Sequence, residues 1–184
     1  YFSDAQLYNH ISYDEAIELA FFGAKVVHPK TIQPLKKKRI PLIIRSFIDL
    51  DIPGTLVDNT KEEILYIPSY IIKEDQILIS ISDPDLSFII EQHLSKIFKL
   101  LASYSITPNL MQNSAVSFSI CLDNHKYKVP NLIRDLQSCF KVNYNSNLTL
   151  YTIRHYNLES LNLFNDKTII LEQKSRNTIQ VVAS

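Results

Sequence analysis

Residues with the type and spacing that metal binding or nucleotide binding requires are sparse in this 184-residue chain. The only glycines, Gly23 and Gly54, are too few for a phosphate-cradling loop, in which glycines let several backbone N–H groups approach a phosphate. Two cysteines, Cys121 and Cys139, cannot form a zinc cluster by themselves, and the five histidines show no H-x-x-x-H pattern. The sequence therefore predicts no metal site, no Walker A loop and no dinucleotide-binding fingerprint.

Charge and hydropathy exclude several further classes of protein. Lysine and arginine total 19, as do aspartate and glutamate, so no net basic charge attracts nucleic acid or an anionic membrane. Hydrophobic residues make up 46% of the chain, but apolar runs such as Ile40–Ile44 are far shorter than the roughly 20 residues that span a bilayer. No secretory signal pattern opens the sequence. We expect a soluble, cytoplasmic α/β protein with no nucleic-acid or membrane partner.

The first 60 residues predict two helices and a short strand. Ser12 and Glu15 have the spacing of a capping box, and Gly23 is typical of a helix end. A second helix is predicted from near Pro29 to the basic run Lys36–Arg39, because cations favour the C-terminal end of a helix. The apolar run Ile40–Ile44 then predicts a buried strand, and a short polar linker follows at 58–63.

From residue 77 to 145 the order of elements is β-α-β-β-α-β, the ferredoxin-like pattern. Helical spacing of apolar residues begins at Ile90 and again at Val129, and the strands are predicted at Ile77–Ile81, Ile106–Met111, Val116–Leu122 and Val142–Tyr144. A shorter β-α-β-β copy begins at Leu148, with at most a two-turn helix at Leu158–Leu163. We expect the strand Ile64–Ile72 to supply the edge that this second copy lacks.

RNA-recognition modules share this order of elements, and they stack bases on aromatic residues of the sheet. Those modules need a basic residue, a glycine and an aromatic residue together on the third strand. The corresponding segment, Ala115–Cys121, contains neither a glycine nor a basic residue. The sequence therefore argues against RNA binding.

Four short motifs occur together in the first 60 residues, at Tyr13–Ala16, Phe22–Pro29, Ile40–Leu42 and Gly54–Val57. In order and spacing they resemble the end of the kinase domain of aspartate kinases. In that family an F-G-A-K-V-x-H-P segment closes the nucleotide site, and an I-P strand and a G-T-x-[IV] segment follow it. The ferredoxin-like pair downstream is similar to the two tandem ACT domains of the same family.

The resemblance implies an arrangement of domains and a function. It implies the end of the kinase domain at 1–60, a linker and strand for the second ACT domain at 61–76, ACT domain 1 at 77–146, and a truncated ACT domain 2 at 147–184. Aspartate kinases transfer a phosphoryl group from MgATP to the β-carboxylate of L-aspartate, towards lysine, threonine and methionine. Because the family's glycine-rich loops and aspartate-binding residues are absent, we expect an inactive regulatory fragment without catalytic residues.

The same resemblance marks the candidate binding residues. Lys25 would contact ATP, since a fixed ammonium can pair with phosphate, whereas His28 would be structural. A small amino-acid effector would bind between the loop before the first ACT helix and the second ACT strand. Strand-edge backbone there could meet both its ammonium and its carboxylate. The implied contacts are Ser87, His93, Leu94, Thr107, Pro108, Asn109, Gln112, Asn113, Ser114 and Ala115.

Several of these positions depart from lysine-sensitive members of the family. Gln92 and His93 replace a glycine and an aromatic residue, Asn109 replaces an acidic residue, and Ala115 stands where glutamate can occur. Asp83 and Asp85 could compensate, although charges at a helix N-terminus are their expected role. The effector is therefore left open between L-lysine and L-threonine, as is a loss of regulation.

The family also implies a homodimer through the ACT domains, whose strand edges need cover. Two other functions remain open at this stage: a standalone ACT-type amino-acid sensor and a module that only dimerises. The standalone sensor does not account for the kinase-like motifs at residues 10–57, whereas loss of the loop glycine and of acidic contacts would fit a module that only dimerises. Cys121 and Cys139 are predicted to be small apolar core residues.

Overall fold

The computed structural model describes residues 5–49, 51–59, 66–85 and 87–184. The chain divides into two compact units, Tyr1–Ile67 and Pro68–Ser184. None of the helices in the described ranges is long and apolar enough to cross a membrane.

The first unit contains a three-stranded sheet and two helices. Its elements are β1 (His10–Ser12), α1 (Tyr13–Phe22), α2 (Pro29–Lys38), β2 (Leu42–Ile44) and β3 (Thr55–Asp58). The strand order is β1-β3-β2, with β1 parallel and β2 antiparallel to β3. Its apolar core gathers Ile11, Tyr13, Ala16, Ile32 and Val57.

The predicted ends of both helices are confirmed. The Ser12 hydroxyl accepts a hydrogen bond from the backbone N–H of Glu15 at 3.1 Å, and α1 ends at Gly23 with φ of 116°. An L side chain rarely adopts that backbone angle, which is why glycine suits the position. At the start of α2 the ring Nδ1 of His28 accepts from the N–H of Lys30, as the structural role predicted for His28 requires.

The second unit is a six-stranded antiparallel sheet with helices on part of it. The strand order is β5-β6-β4-β7-β9-β8. Its elements are β4 (Ser69–Ser82), α3 (Glu91–Ser103), β5 (Leu110–Asn113), β6 (Ser117–Asp123), α4 (Lys128–Gln137), β7 (Lys141–Arg154), a 3-10 helix (Ser160–Phe164), β8 (Ile169–Lys174) and β9 (Thr178–Ala183). The predicted β-α-β-β-α-β order is confirmed by β4 to β7.

Two strands are longer than the sequence predicted, because each runs through both halves of this sheet. Residues 76–82 of β4 pair with β6 and with the first part of β7, whereas residues 69–73 pair only with the second part of β7. Ile77–Ile81 and Val142–Tyr144 are strands as predicted, but the prediction of their ends was wrong. Ile77–Ile81 is continuous with residues 69–73 in β4, and Val142–Tyr144 continues past Leu148 in β7. Of the predicted strand Ile64–Ile72, residues 64 and 65 lie outside the described part of the chain.

Irregular pairing lets each long strand change direction without ending. The register between β4 and β7 shifts between Lys73 and Gln76 and again between Gln76 and Leu78. Asp75 and Asn147 adopt left-handed angles there, with φ of 51° and 57°. Asp and Asn tolerate this conformation better than most residues, and a bulge bends and twists a strand.

Three apolar clusters stabilise the second unit. The largest packs α3 and α4 on one face of β4 and β6, around Ile79, Ile97, Ile120, Leu132 and Leu136. The 3-10 helix contributes Phe164 to a second cluster with Ile153, Ile179, Val181 and Ala183. A third, with Leu78, Leu110, Cys121, Leu150 and Val182, joins residues from both halves of the sheet.

Candidate functional site

The loop that connects α1 to α2 borders an open cavity in the first unit. The cavity has a volume of about 320 Å³ and is lined by Ala20 and residues 23–29. Lys25 is exposed on its wall and makes no ion pair or hydrogen bond with the described residues. Hydrogen bonds hold the loop at both ends. The backbone N–H of Ala24 donates to the carbonyl of Leu19 at one end, and His28 caps α2 at the other. The Lys25 ammonium is thus available to an anionic ligand.

The residues implied as effector contacts lie in two segments of the second unit, 87–94 and 107–115. The fold brings the start of the first segment next to the end of the second. The backbone N–H of Ile89, in the loop before α3, donates to the carbonyl of Ala115 at 3.0 Å. Ser87 is exposed in that loop, and Gln112, Asn113, Ser114 and Ala115 are exposed at the end of β5. Because β5 is an edge strand, no other strand of the described residues pairs with its outer backbone groups.

His93 holds this loop in place. Its Nδ1 accepts from the N–H of Ile90 at 3.4 Å, its Nε2 lies 3.7 Å from Asp83 Oδ2, and its ring packs edge-on against Phe140. Asp83 also accepts from the N–H of Asp85. Asp83 is therefore a partner of a residue in the first turn of α3, and His93 positions the backbone beside Ser87 and Ala115.

Thr107, Pro108 and Asn109 lie at the opposite end of β5, where Asn109 is about 13 Å from Asn113 along an extended strand. Asn109 is bonded inside the protein. Its Nδ2 donates to Gln76 Oε1 at 2.8 Å and to Asp123 Oδ1 at 3.0 Å, and its Oδ1 accepts from Lys73 Nζ at 2.8 Å. Both amide hydrogens of Asn109 are thus already used.

Sequence reasoning missed the polar cluster that surrounds Asn109, which consists of Lys73, Gln76, Asn109 and Asp123. Gln76 is only 1% exposed and donates to Asp123 Oδ1 at 2.8 Å. Burial alone would raise the pKa of Asp123. Hydrogen bonds from Gln76 and Asn109, together with the charge of Lys73, outweigh burial and lower that pKa. The sequence signal that could have indicated this cluster is the polar run at 73–76, which separates two apolar runs.

The two cysteines differ in environment. Cys121 is buried, and its thiol lies 3.7 Å from Gln76 Oε1. Burial, with a smaller contribution from Asp123, raises the pKa of this thiol to about 12. Cys139 is exposed after α4, so the prediction that both cysteines are core residues was wrong for Cys139. The helical spacing ends before it, at Leu136.

We expect one thiol per chain to react with a disulfide reagent such as dithiobis(nitrobenzoate) in the native protein at pH 8. The reason is that the thiolate is the reacting species and Cys121 stays protonated and buried. The variant Cys139→Ser should show no fast reaction, and denaturant should release the second thiol of the wild-type chain. Fast reaction of two thiols under native conditions would contradict the burial of Cys121.

Comparisons with known proteins agree on one family. A family model described as the amino acid kinase family matches residues 1–46. A bifunctional aspartokinase/homoserine dehydrogenase of Haemophilus influenzae is 33% identical over 118 residues, which make up 64% of this chain and 14% of that protein. Lysine-sensitive aspartokinase 3 of Escherichia coli is 32% identical over 121 residues, which make up 66% of this chain and 27% of that protein.

The fold agrees with these relatives. A crystal structure of E. coli aspartokinase III in complex with lysine and aspartate matches 98% of this chain and 43% of that chain, with a TM-score of 0.77 and 24% identity. At this level of identity the likeness shows the fold alone. The chain spans well under a third of the length of the two curated relatives described above. Together the matches show that the chain belongs to the aspartokinase family and corresponds to the C-terminal part that carries the end of the kinase domain and the regulatory ACT fold.

Proposed function

We propose that this chain is the regulatory part of an aspartate kinase, whose whole polypeptide converts ATP and L-aspartate to 4-phospho-L-aspartate in the cytoplasm. In this proposal Lys25 contacts ATP from the loop between α1 and α2, and the rest of the kinase domain holds MgATP and aspartate. The exposed ammonium beside an open cavity supports that role. Phosphoryl transfer depends on positioning and electrostatics, so these residues alone are inactive.

The proposed division into domains places the end of the kinase domain at 1–60 and the linker with its strand at 61–76. The first ACT domain then occupies 77–146, and the truncated second one occupies 147–184. Residues 69–73 of β4 support this division because they pair with the second part of β7, as an edge strand of the second ACT domain would. The two ACT domains thus share β4 and β7.

We place the binding site for an amino-acid effector, L-lysine or L-threonine, at the Ser87 loop and the exposed end of β5. The single observation that carries this proposal is the contact between Ile89 and Ala115, which sets the loop beside the unpaired edge of β5. The edge offers N–H donors for a carboxylate and carbonyl acceptors for an ammonium. The lysine-sensitive relative from E. coli supports lysine as the first effector to test.

We also propose that two copies of the chain pair through this same edge. Large apolar side chains are exposed around it, with Phe88 at 69% and Val116 at 42%, and Ile90 and Met111 are exposed as well. A second copy would cover these side chains and pair the outer backbone groups of β5. It would also bring Thr107–Asn109 of one copy within reach of the Ser87 loop of the other.

The test is a calorimetric titration of the chain with L-lysine, then L-threonine, then both. We expect saturable binding that Asn113→Ala weakens by at least tenfold, because that amide lies at the proposed site. Asn165→Ala, an exposed asparagine remote in sequence after the 3-10 helix, is the matched control and should bind as the wild type does. Light scattering should show a dimer, and a monomer at high micromolar concentration would contradict the pairing through β5.

A module that only dimerises is the second candidate. The internal bonds of Asn109 favour it, because both amide hydrogens are committed to Gln76 and Asp123. A folded dimer that binds neither amino acid at millimolar concentration would support this candidate over the sensor.

A further inference from the structure

A polar cleft in the second unit lies between β8 on one side and β5 and β6 on the other. It has a volume of about 250 Å³. One side is lined by Gln112, Ser114, Ser117 and Ser119, and the other by Ile170, Leu171 and Glu172. Because β5 and β8 stand at opposite ends of the strand order, the sheet curls to bring its two edges together. Leu171 also packs against the apolar cluster that joins the two halves, which gives the cleft an apolar floor.

The cleft contains polar groups that the protein itself does not use. The side chains of Gln112, Ser119 and Glu172 make no hydrogen bond or ion pair with the described residues. Ser117 shares a hydrogen bond of 2.9 Å with Ser114, and its remaining lone pair is available. Three consecutive residues of β8 line the cleft, although side chains in a strand alternate between its two faces. The cleft therefore runs along the edge of β8, where backbone groups are also exposed to it.

The charge of the lining selects the kind of ligand. Among the described residues the lining includes the Glu172 carboxylate and no lysine, arginine or histidine, so it attracts a cation and repels carboxylates and phosphates. A divalent metal ion prefers several anionic ligands, and no group of three His, Cys, Asp or Glu side chains that could hold one exists among the described residues. An organic ammonium needs one counter-ion and a few oxygen acceptors, which is what the cleft provides.

We propose that this cleft binds a small organic ammonium ion. Glu172 is the counter-ion, the hydroxyls of Ser117 and Ser119 accept the remaining ammonium hydrogens, and a short carbon chain rests on Leu171. The cleft shares Gln112 and Ser114 with the proposed effector site, and it goes beyond that site at Ser119 and Glu172, which belong to neither of its segments. Its occupant bridges β6 and the edge strand β8 across the curled sheet.

The test uses amide NMR spectra of the full 184-residue chain titrated with 2-aminoethanol at pH 7, where its amine is an ammonium. Ethylene glycol and glycolate are neutral and anionic probes of similar size. We expect saturable shifts of the amides of Ser119 and Glu172 with the ammonium alone, with a Kd on the order of millimolar for so small a ligand. Glu172→Gln should weaken binding by about tenfold or more, because a charge-assisted hydrogen bond is lost.

Two controls keep the proposal falsifiable. Glu159→Gln makes the same change of charge at an exposed carboxylate outside the cleft and should leave the affinity unchanged. Ser119→Ala should weaken binding severalfold, because it removes a hydroxyl that accepts a hydrogen bond from the ammonium. Equal shifts with ethylene glycol, equal affinity in Glu172→Gln, or no saturable response in the folded wild-type chain would each overturn the proposal.

Discussion

Replacing Ile79 with alanine should lower the free energy of unfolding of the Pro68–Ser184 unit by about 3 to 4 kcal/mol. Ile79 is fully buried in the middle of β4, where it faces Ile120 of β6 in the pairing register and packs in the cluster beneath α3 and α4. The expected loss combines two costs. The deleted carbon groups lose their transfer free energy, and a cavity remains that cannot close because β4 is paired on both sides, with β6 and β7.

Urea denaturation followed by circular dichroism at 25 °C measures this loss. Ile170→Ala is the matched control, because Ile170 lies in β8 with 40% of its surface exposed, and we expect it to cost less than about 1 kcal/mol. Equal costs for the two variants would mean that β4 is not the centre of the core. A changed slope of free energy against urea, with no change in midpoint, would point to the unfolded state instead.

Local signals predicted the helices well, because capping depends on a few residues close in sequence. Ser12 and Gly23 limit α1 as expected, and His28 caps α2 through its ring nitrogen. The two helices of the ferredoxin-like part were also predicted, from apolar spacing. The resemblance to aspartate kinases supplied the family, which the relatives confirm.

The continuity of β4 and β7 could not be predicted from the same kind of signal. The polar run Lys73–Gln76 interrupts the apolar pattern, and Asp75 is of a residue type that is common in turns. In the fold Gln76 turns inward, and its amide is satisfied by residues that lie 33 and 47 positions away. Only long-range partners make a buried polar side chain compatible with a continuous strand.

The candidate site shows the same limit. The resemblance placed ten residues around an effector, and chain positions alone could not say that the seven from Thr107 to Ala115 fall at two ends of β5. Asn109 was expected to face a ligand, yet its amide is bonded to Gln76 and Asp123. The contact between Ile89 and Ala115 joins segments 26 residues apart and has no signature in either segment.

The polar cluster at the bulge of β4 links the two halves of the second unit. Lys73 lies in the part of β4 that pairs only with β7, and its ammonium reaches Asn109 at the entry to β5. Gln76 lies where the pairing of β4 changes register. The cluster therefore fixes the angle between the half-sheet that carries the proposed effector site and the half-sheet that carries β8.

Replacing Gln76 with alanine should cost about 2 to 3 kcal/mol of unfolding free energy, because it removes the partner of several polar groups at once. One Asn109 amide hydrogen loses its acceptor, the carbonyl of Glu74 loses the hydrogen bond from Gln76, and Asp123 loses one of its two amide donors. Gln112→Ala is the matched control, since that amide is exposed in β5, and we expect it to change stability by less than about 0.5 kcal/mol.

Hydrogen exchange separates loss of the bulge from loss of the whole sheet. In Gln76→Ala we expect faster exchange of backbone amides near 73–76 and at Asn109, while those of Ile79 and Ile120 keep their protection relative to global unfolding.

The double variant Gln76→Ala with Asn109→Ala should cost less unfolding free energy than the sum of the single variants, because each single change leaves the other group unsatisfied. Strict additivity, or protection unchanged near 73–76, would mean that the cluster does not hold the bulge. In that case the angle between the half-sheets would depend on the apolar cluster of Leu78, Leu110 and Leu150 alone.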